Sequence, residues 1–301
     1  MKKSIDFLRL IRSKNLLIII ISFFVFEVYI LESYLNELST NINFFLLLSI
    51  TLLITASGYI INDIFDVNID QINKKDKIFI GKKYSKNTGK TLYFIIIIFS
   101  ILLSVILCYR IGKMYLISIF ISCIYILWLY SKSLKNKFFL GNITTSFLVS
   151  LSIINLVIFS ELEINKNSKL ILYSYAYLSF LINLIREIIK DIEDIKGDLK
   201  YNSKSIPIRL GIKNSKLICY ILLSILFISI SYILLENYKY SYLEITITQT
   251  IIYYLIIISL IIYCIISIIK AKQKYHYSKI SLLIKGIMII SILLIPIFKH
   301  I

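Results

Sequence analysis

Two groups of three aspartates, far apart in the chain, repeat the same spacing. Asp63 is followed by aspartates three and seven positions later, and so is Asp191. On a helix, this spacing places all three carboxylates on one face. Each group comes directly after an apolar run, and only two of the eight aspartates of the chain lie elsewhere. The repeated pattern indicates a shared chemical role for Asp63, Asp66, Asp70, Asp191, Asp194 and Asp198.

Carboxylates grouped in this way favour a divalent cation. Three of them on one helix face repel one another, and a bound cation relieves that repulsion. Mg²⁺ prefers oxygen ligands and keeps positions open for substrate phosphates, so two facing clusters can hold a diphosphate from both ends. Asn62, one turn before Asp66, can add a neutral oxygen ligand. Basic residues of the same regions are predicted to bind the phosphates, namely Lys132, Lys135, Arg186, Lys190 and Arg209.

Long apolar runs carry these clusters. The chain is 58% hydrophobic with a mean hydropathy of +0.83, and its two prolines and eight glycines leave long helices as the default. A spanning helix needs about 20 mostly apolar residues. We therefore predict an all-α polytopic membrane protein, with nine transmembrane helices in one bundle around a central cavity. The predicted spans are residues 16–35, 44–61, 91–108, 114–130, 138–160, 170–189, 217–235, 245–269 and 280–298.

The distribution of basic residues predicts the orientation of the bundle. With nine crossings, only six of the 34 Lys and Arg residues fall on the side opposite the N-terminus. Cytoplasmic loops carry such an excess, so we expect the N-terminal side to be cytoplasmic and the protein to lie in a bacterial inner membrane. Four crossings separate the aspartate groups, which places both on this side. The net charge of +17 is therefore expected to serve topology and contacts with membrane lipids, not nucleic acid.

No linker or low-complexity block divides the chain, and we expect one domain over residues 1–301. The four cysteines stand alone inside apolar runs, which predicts neither disulfides nor a zinc site. The two histidines have no acidic or cysteine neighbours at ligand spacing. The candidate chemistry therefore rests on the carboxylates.

The two aspartate groups resemble the paired motifs of the UbiA family of intramembrane prenyltransferases. The first family motif, NDxxDxxxD, is matched in full from Asn62 to Asp70, and the second, in its DxxDxxGD form, is matched from Asp191 to Asp198 with Gly197 at the glycine. The stretches Tyr130-Ser131 with Leu134-Lys135 and Gly141-Asn142, and Ile206-Pro207 with Leu210-Gly211, are also similar to family segments. The resemblance spans nearly the whole chain.

This resemblance implies Mg²⁺-dependent transfer of a polyprenyl group from a polyprenyl diphosphate to an acceptor, with release of diphosphate. It implies that the metal and diphosphate are held by Asn62, Asp66, Asp70, Asp191, Asp194 and Asp198. The carboxylates expected to be catalytic are Asp63, Asp66, Asp191 and Asp194. A lipid-lined bundle suits the polyprenyl tail, and a dry cavity protects an allylic carbocation from water.

The acceptor is open between two classes. Family members use small aromatic quinone precursors, whereas the combination of Arg186-Glu187 with Lys190-Asp191 looks closer to members that alkylate a glycerol-phosphate lipid. Haem is a third option. Outside the family, a cation transporter with repeated acidic motifs would need its acids near mid-bilayer, and these lie at helix ends. A CDP-alcohol phosphotransferase would carry one motif of Asp, Gly and Arg instead of two separated triplets.

Overall fold

The protein is helical throughout the part of the chain that the structure describes. A computed structural model describes residues 2–31, 38–73, 78–160, 163–201, 203–240 and 246–299, and these ranges contain no β-sheet. Nine of their helical segments are long and apolar enough to cross a membrane. The predicted all-α membrane architecture with nine spans is therefore confirmed.

Ten α-helices follow one another along the described residues. The first is a short helix before the first span, which the hydropathy pattern did not predict. The helices are α1 (Lys2–Leu10), α2 (Ser13–Phe26), α3 (Leu38–Asn73), α4 (Lys86–Arg110), α5 (Ile117–Lys132), α6 (Leu140–Ile158), α7 (Lys166–Lys200), α8 (Ile206–Tyr240), α9 (Ile247–Lys270) and α10 (Lys274–Lys299). A π-helical turn (Glu27–Leu31) extends α2, and short 3₁₀ turns (Met114–Leu116 and Leu134–Asn136) flank α5.

Side-chain caps fix the starts of three of these helices. The Ser85 side chain accepts a hydrogen bond from a backbone N–H in the first turn of α4, and Asn165 does the same for α7. Thr246 and Gln249 form a reciprocal capping box at the start of α9. These residues satisfy backbone donors that have no partner inside a helix.

Two helices run past the ends of their predicted spans. The spans predicted over 44–61 and 170–189 end at the aspartate groups, but α3 continues to Asn73 and α7 to Lys200. The aspartates are thus helical residues, and basic or amide side chains from other elements contact several of them. The outer ends of the predicted spans 16–35 and 245–269 lie partly outside the described residues.

The span predicted over 217–235 also begins earlier than expected, because α8 starts at Ile206. Pro207 lies in its first turn. Backbone N–H groups there have no acceptor within the helix, so the N–H that proline lacks costs no hydrogen bond. Gly211 then interrupts the helix with a φ of 80°, a left-handed conformation that glycine adopts without steric cost. The second motif is therefore followed by a short helical turn, a kink and the long membrane-spanning part of α8.

Helix packing brings the two motif-bearing helices together. α3 packs against α4 and α5, α7 packs against α6, α8 and α10, and α3 also contacts α7 directly. One apolar core is formed by helices α7, α8, α9 and α10 around Ile185 and Ile188. A second core includes residues of helices α2 through α7 around Phe26 and Phe120. The α3–α7 contact places the ends of both motif helices side by side.

Candidate active site

The first motif lies on α3 and meets basic side chains from two other elements. Arg12 Nη2, just before α2, donates to Asp63 Oδ1 at 3.0 Å. Lys135, in the turn after α5, forms a hydrogen-bonded ion pair with Asp66, and both side chains are mostly buried. Burial acts to lower the pKa of Arg12, but Asp63, Tyr59 and Asp70 together raise that pKa above its ordinary value. Each of these aspartates is neutralised by a cation remote in sequence.

The second motif lies on α7 and is contacted from α6 and α10. Asn142 Nδ2 donates to Asp191 Oδ2 at 2.8 Å, and Lys274 Nζ lies 3.9 Å from Asp194 Oδ1. Asn142 is itself buried beside Gly141, where an added Cβ would lie only 2.8 Å from the Lys135 backbone. Because the backbone approaches so closely at Gly141, α6 can place the Asn142 side-chain amide against the second motif. The turn that precedes α6 carries Lys135 to the first motif.

A direct hydrogen bond ties the second motif to the end of α3, the helix that carries the first motif. The Gly197 backbone N–H, inside the second motif, donates to Asn73 Oδ1 at the end of α3 over 2.9 Å. A Cβ at position 197 would lie 2.4 Å from both terminal atoms of the Asn73 side chain. Lys274 Nζ donates to the Asn73 backbone carbonyl at 2.6 Å while it reaches toward Asp194. The glycine of the second motif is thus required by the close approach of α3.

A buried glutamate organises the basic residues one turn before the second motif. Glu187 accepts from Arg186 Nη1 at 2.9 Å and from Lys190 Nζ at 2.9 Å. Tyr130, at the end of α5, lies within electrostatic range of Glu187, of Asp66 and of Asp191. Tyr130 is therefore near residues of both motifs.

The other predicted site residues differ in their surroundings. Asp70 lies within electrostatic range of Arg12 and Asp63, and Asp198 within range of Asp191. Lys132 is exposed with its ammonium 4.6 Å from the Trp128 ring centre, and Arg209 is exposed over Phe138. The structure thus brings Lys135 to a motif aspartate, but it leaves Lys132 and Arg209 on aromatic rings at the surface.

The donor set around the motifs suits a hard cation. Asn62 Oδ1 is buried and has no hydrogen-bond partner among the residues that the structure describes, which leaves an amide oxygen available as a ligand. Among the described residues, no three His, Cys, Asp or Glu side chains converge closely enough to hold a metal alone. Mg²⁺ commonly takes only one or two protein carboxylates and completes its shell with water and phosphate oxygens. The residues present therefore fit a Mg²⁺ ion that a phosphorylated substrate helps to bind.

Sequence reasoning gave no role to several residues of this site, among them Arg12, Asn142, Asn73, Lys274 and Tyr130. Asn73 had a usable signal, because it lies seven positions after Asp66 and so continues the same helix face. Lys274 had none, since it reaches the motifs only through the packing of α10 against α7. Tyr130 was selected only as part of a similar family segment.

A mainly apolar cavity lies in the half of the bundle away from the motifs. It has a volume of about 230 Å³ and is lined by α7, α8, α9 and α10. Tyr175 and Tyr253 supply hydroxyl groups 3.5 Å apart at its wall, and Leu178, Ile230 and Ile257 supply apolar surface. This space can accommodate hydrocarbon.

Comparison with known proteins agrees with this geometry. A relative from Saccharolobus solfataricus named digeranylgeranylglyceryl phosphate synthase is 38% identical over 178 residues, or 58% of this chain. A protein of the same name from Methanococcus maripaludis is 28% identical over 225 residues, which is 74% of this chain and 75% of that protein. The chain matches 60% of the length of the S. solfataricus relative.

Solved structures share the fold over nearly the whole chain. One, from a study of "the biosynthesis of Digeranylgeranylglyceryl phosphate synthase in membranes", has a TM-score of 0.68 at 26% identity and covers 99% of both chains. A UbiA homologue from Archaeoglobus fulgidus bound to GPP and Mg²⁺ has a TM-score of 0.60 at 15% identity, covering 97% of this chain and 99% of that one. The profile of the UbiA prenyltransferase family matches residues 25–292. The chain is therefore an integral membrane protein that belongs to the UbiA prenyltransferase family.

Proposed function

We propose that the protein transfers a polyprenyl group from its diphosphate to a hydroxyl of a glycerol-phosphate lipid, in a Mg²⁺-dependent reaction that releases diphosphate. The observation that carries this proposal is the meeting of two aspartate motifs, on α3 and α7, at one end of the bundle. Basic side chains already contact aspartates of both motifs. The site can therefore bind phosphate groups through cations that lie beside the carboxylates.

The donor diphosphate lies between the two motifs in this proposal. Lys135 is paired with Asp66 of the first motif, and Lys190 directly precedes Asp191 of the second and is paired with Glu187. Each ammonium already holds a carboxylate and can exchange it for a phosphate oxygen. Diphosphate binding by Lys132 and Arg209 stays a prediction. Both side chains lie over aromatic rings at the surface, and turning toward a phosphate would break no ion pair with a described residue.

Metal binding follows from the same residues. The proposed ligands and diphosphate contacts are Asn62, Asp66, Asp70, Asp191, Asp194 and Asp198, and the unpartnered Asn62 oxygen supports the first of them. Mg²⁺, when bound, would neutralise the charge that develops on the diphosphate as it leaves. The Asn73–Gly197 hydrogen bond and Lys274 hold the two motifs at a fixed separation for this purpose.

The chemical step needs no protein nucleophile. The bond between donor C1 and the diphosphate oxygen breaks, and its electron pair leaves with the diphosphate. The acceptor hydroxyl oxygen then forms the new bond to C1, and the hydroxyl proton is released. In this proposal the ring of Tyr130, which lies within electrostatic range of Asp66 and Asp191, stabilises positive charge on the allylic carbon. Asp63 is tied to Arg12, so we propose that it orients the first motif.

A glycerol-phosphate acceptor is favoured over an aromatic one. The curated relatives named above carry the name digeranylgeranylglyceryl phosphate synthase, and one of them is 38% identical over the aligned region. Glu187 between Arg186 and Lys190 provides a polar, positively charged wall beside the second motif. The apolar cavity among α7, α8, α9 and α10 supplies additional space for hydrocarbon chains.

We further propose that residues 1–301 act as one domain whose site faces the cytoplasm, because the basic loops lie on the side that carries both motifs. The relatives named above come from archaea. The assignment to a bacterial inner membrane therefore stays a prediction of the sequence, and the proposed side of the membrane does not depend on it.

Purified protein in detergent tests the proposed acceptor. We would supply Mg²⁺ and radiolabelled geranylgeranyl diphosphate with geranylgeranylglyceryl phosphate, 4-hydroxybenzoate or 1,4-dihydroxy-2-naphthoate. The expected result is label transfer to the glycerol-phosphate lipid alone. Transfer only to an aromatic compound would refute the acceptor but keep the prenyl transfer. Ion flux in proteoliposomes without any transfer would instead favour the transporter alternative.

A further inference from the structure

A lysine lies inside the apolar part of α10 and has no acidic partner in the part of the chain that the structure describes. Lys285 is partly buried between the fully or largely buried Ile284 and Ile287. It lies eleven residues after Lys274, about 16 Å along the helix axis from the end of α10 at the motifs. Ionisable residues inside membrane spans are costly and usually mark a functional site.

The contacts of Lys285 are neutral or repulsive. Its ammonium donates to the side-chain amide oxygen of Asn15 on α2, and the Asn15 amide in turn donates to Tyr59 on α3 at 3.0 Å. Arg186 and Lys14 lie within electrostatic range and carry the same charge as Lys285. No carboxylate of the described residues forms a salt bridge with this lysine.

Arg186 also has unused hydrogen-bonding capacity on this side. Its Nη1 binds Glu187, but its Nε is buried and has no hydrogen-bond partner within the described ranges of the chain. A buried guanidinium N–H without a partner is uncommon and points to a ligand that completes it. Glu187 is already shared between Arg186 and Lys190, and Lys285 lies within electrostatic range of Arg186 as a further positive charge. An anionic ligand would balance the remaining charge.

The depth of these residues separates them from the donor diphosphate. Arg186 lies five residues before Asp191 on α7, and Tyr59 lies seven residues before Asp66 on α3. These separations correspond to about 7 and 10 Å along the two helices, toward the interior of the bundle. A phosphate bound here would lie close enough for a hydroxyl two carbons away to reach C1 of a donor whose diphosphate is held at the motifs.

We propose that Lys285 and the Nε–H of Arg186 bind the phosphate monoester of the glycerol-lipid acceptor. This inference rests on the proposed function and adds a second anion site to it, with Asn15 orienting the Lys285 ammonium. It reassigns Arg186 from the donor diphosphate to the acceptor phosphate. An aromatic carboxylate is smaller and lacks the tetrahedral set of oxygens that two separate donors can share.

Substrate pairs test this assignment. We would measure kcat/KM for geranylgeranylglyceryl phosphate and for geranylgeranylglycerol, which lacks the phosphate, in phosphatidylcholine vesicles that offer no anionic headgroup. Lys285→Met is expected to lower kcat/KM for the phosphorylated acceptor about 10- to 100-fold, the range of a charge-assisted hydrogen bond. The preference for the phosphorylated acceptor should fall by the same factor. Lys285→Arg should restore part of it.

Three measurements keep the result unambiguous. Binding of radiolabelled geranylgeranyl diphosphate should be unchanged in Lys285→Met, which also establishes that the variant folds. Lys279→Met removes the same charge from an exposed position of α10 and should leave the preference intact. If Lys285→Met instead weakens donor binding, or keeps the wild-type preference, the assignment is wrong. If wild-type protein does not use geranylgeranylglyceryl phosphate at all, the proposed function itself fails.

Discussion

Gly197→Ala tests whether the contact between the two motifs is needed for activity. A methyl group at this position would lie 2.4 Å from the Asn73 side chain, whereas ordinary contacts are 3.4–4 Å, so the helices must separate by about 1 Å or Asn73 must rotate. Either movement breaks the hydrogen bond from the Gly197 N–H. Loss of that bond costs about 1 kcal/mol and overpacking about 1–3 kcal/mol, against a gain in helix propensity of about 1 kcal/mol. The expected net destabilisation is about 1–3 kcal/mol.

The functional effect should exceed the effect on stability. A displacement of about 1 Å between groups that hold one substrate can reduce turnover about 100-fold. Steady-state prenyl transfer and thermal melting in detergent would measure both quantities. Gly286→Ala is the matched control for stability, because no atom lies within 4 Å of its added Cβ and alanine favours the helix. Its melting temperature should equal or exceed that of the wild type.

A double variant isolates the steric cause. Asn73→Ala removes the side chain that the new methyl group would meet but keeps the backbone carbonyl that binds Lys274. Gly197→Ala should therefore cost much less in the Asn73→Ala background than in the wild type. Wild-type turnover in the single Gly197→Ala variant would refute the reasoning, because it would mean that the motifs tolerate the separation.

Three further predictions follow from individual contacts. Lys135→Met removes a mostly buried partner of Asp66 and should raise the KM for the donor about 10- to 100-fold. Lys132→Met, at the exposed neighbouring site, should change this KM less than about threefold. Donor titrations measure both values. Asn142→Ala should lower kcat/KM about 10-fold, because the Asp191 carboxylate loses a hydrogen bond. An unchanged kcat/KM in steady-state kinetics would mean that this hydrogen bond has no role in the reaction. Treatment with EDTA should stop transfer and added Mg²⁺ should restore it, whereas full activity after chelation would exclude the proposed metal chemistry.

The fold could be predicted largely from hydropathy. Nine apolar runs and the rarity of Gly and Pro were sufficient for the number of spans, because burial in a bilayer imposes a length and a composition on each helix. The ends of α3 and α7 could not be predicted in this way. Their last three turns carry the aspartates, whose partners are distant in the sequence. Arg12 and Lys135 pair with Asp63 and Asp66 of α3, and Asn142 donates to Asp191 of α7.

The candidate site was predictable only along each helix. The repeated aspartate spacing identifies which carboxylates share a face, because that property depends on helix geometry alone. The partners across helices depend on packing instead. Nothing local indicates that Gly197 receives the Asn73 side chain or that Lys274 joins the same contact. By contrast, Glu187 and Lys190 lie three residues apart on one helix, and their ion pair is a contact that local spacing indicates.

Binding of a non-reactive donor tests most directly whether both motifs hold one diphosphate. We would measure the affinity of a radiolabelled geranylgeranyl thiolodiphosphate for wild type, Asp66→Ala and Asp194→Ala, each with Mg²⁺ and with EDTA. Both substitutions are expected to remove the Mg²⁺-dependent part of binding, because each deletes a carboxylate from a different helix of the same site. Undiminished Mg²⁺-dependent binding in either variant would contradict the account, since the diphosphate would then be held without one of the two motifs.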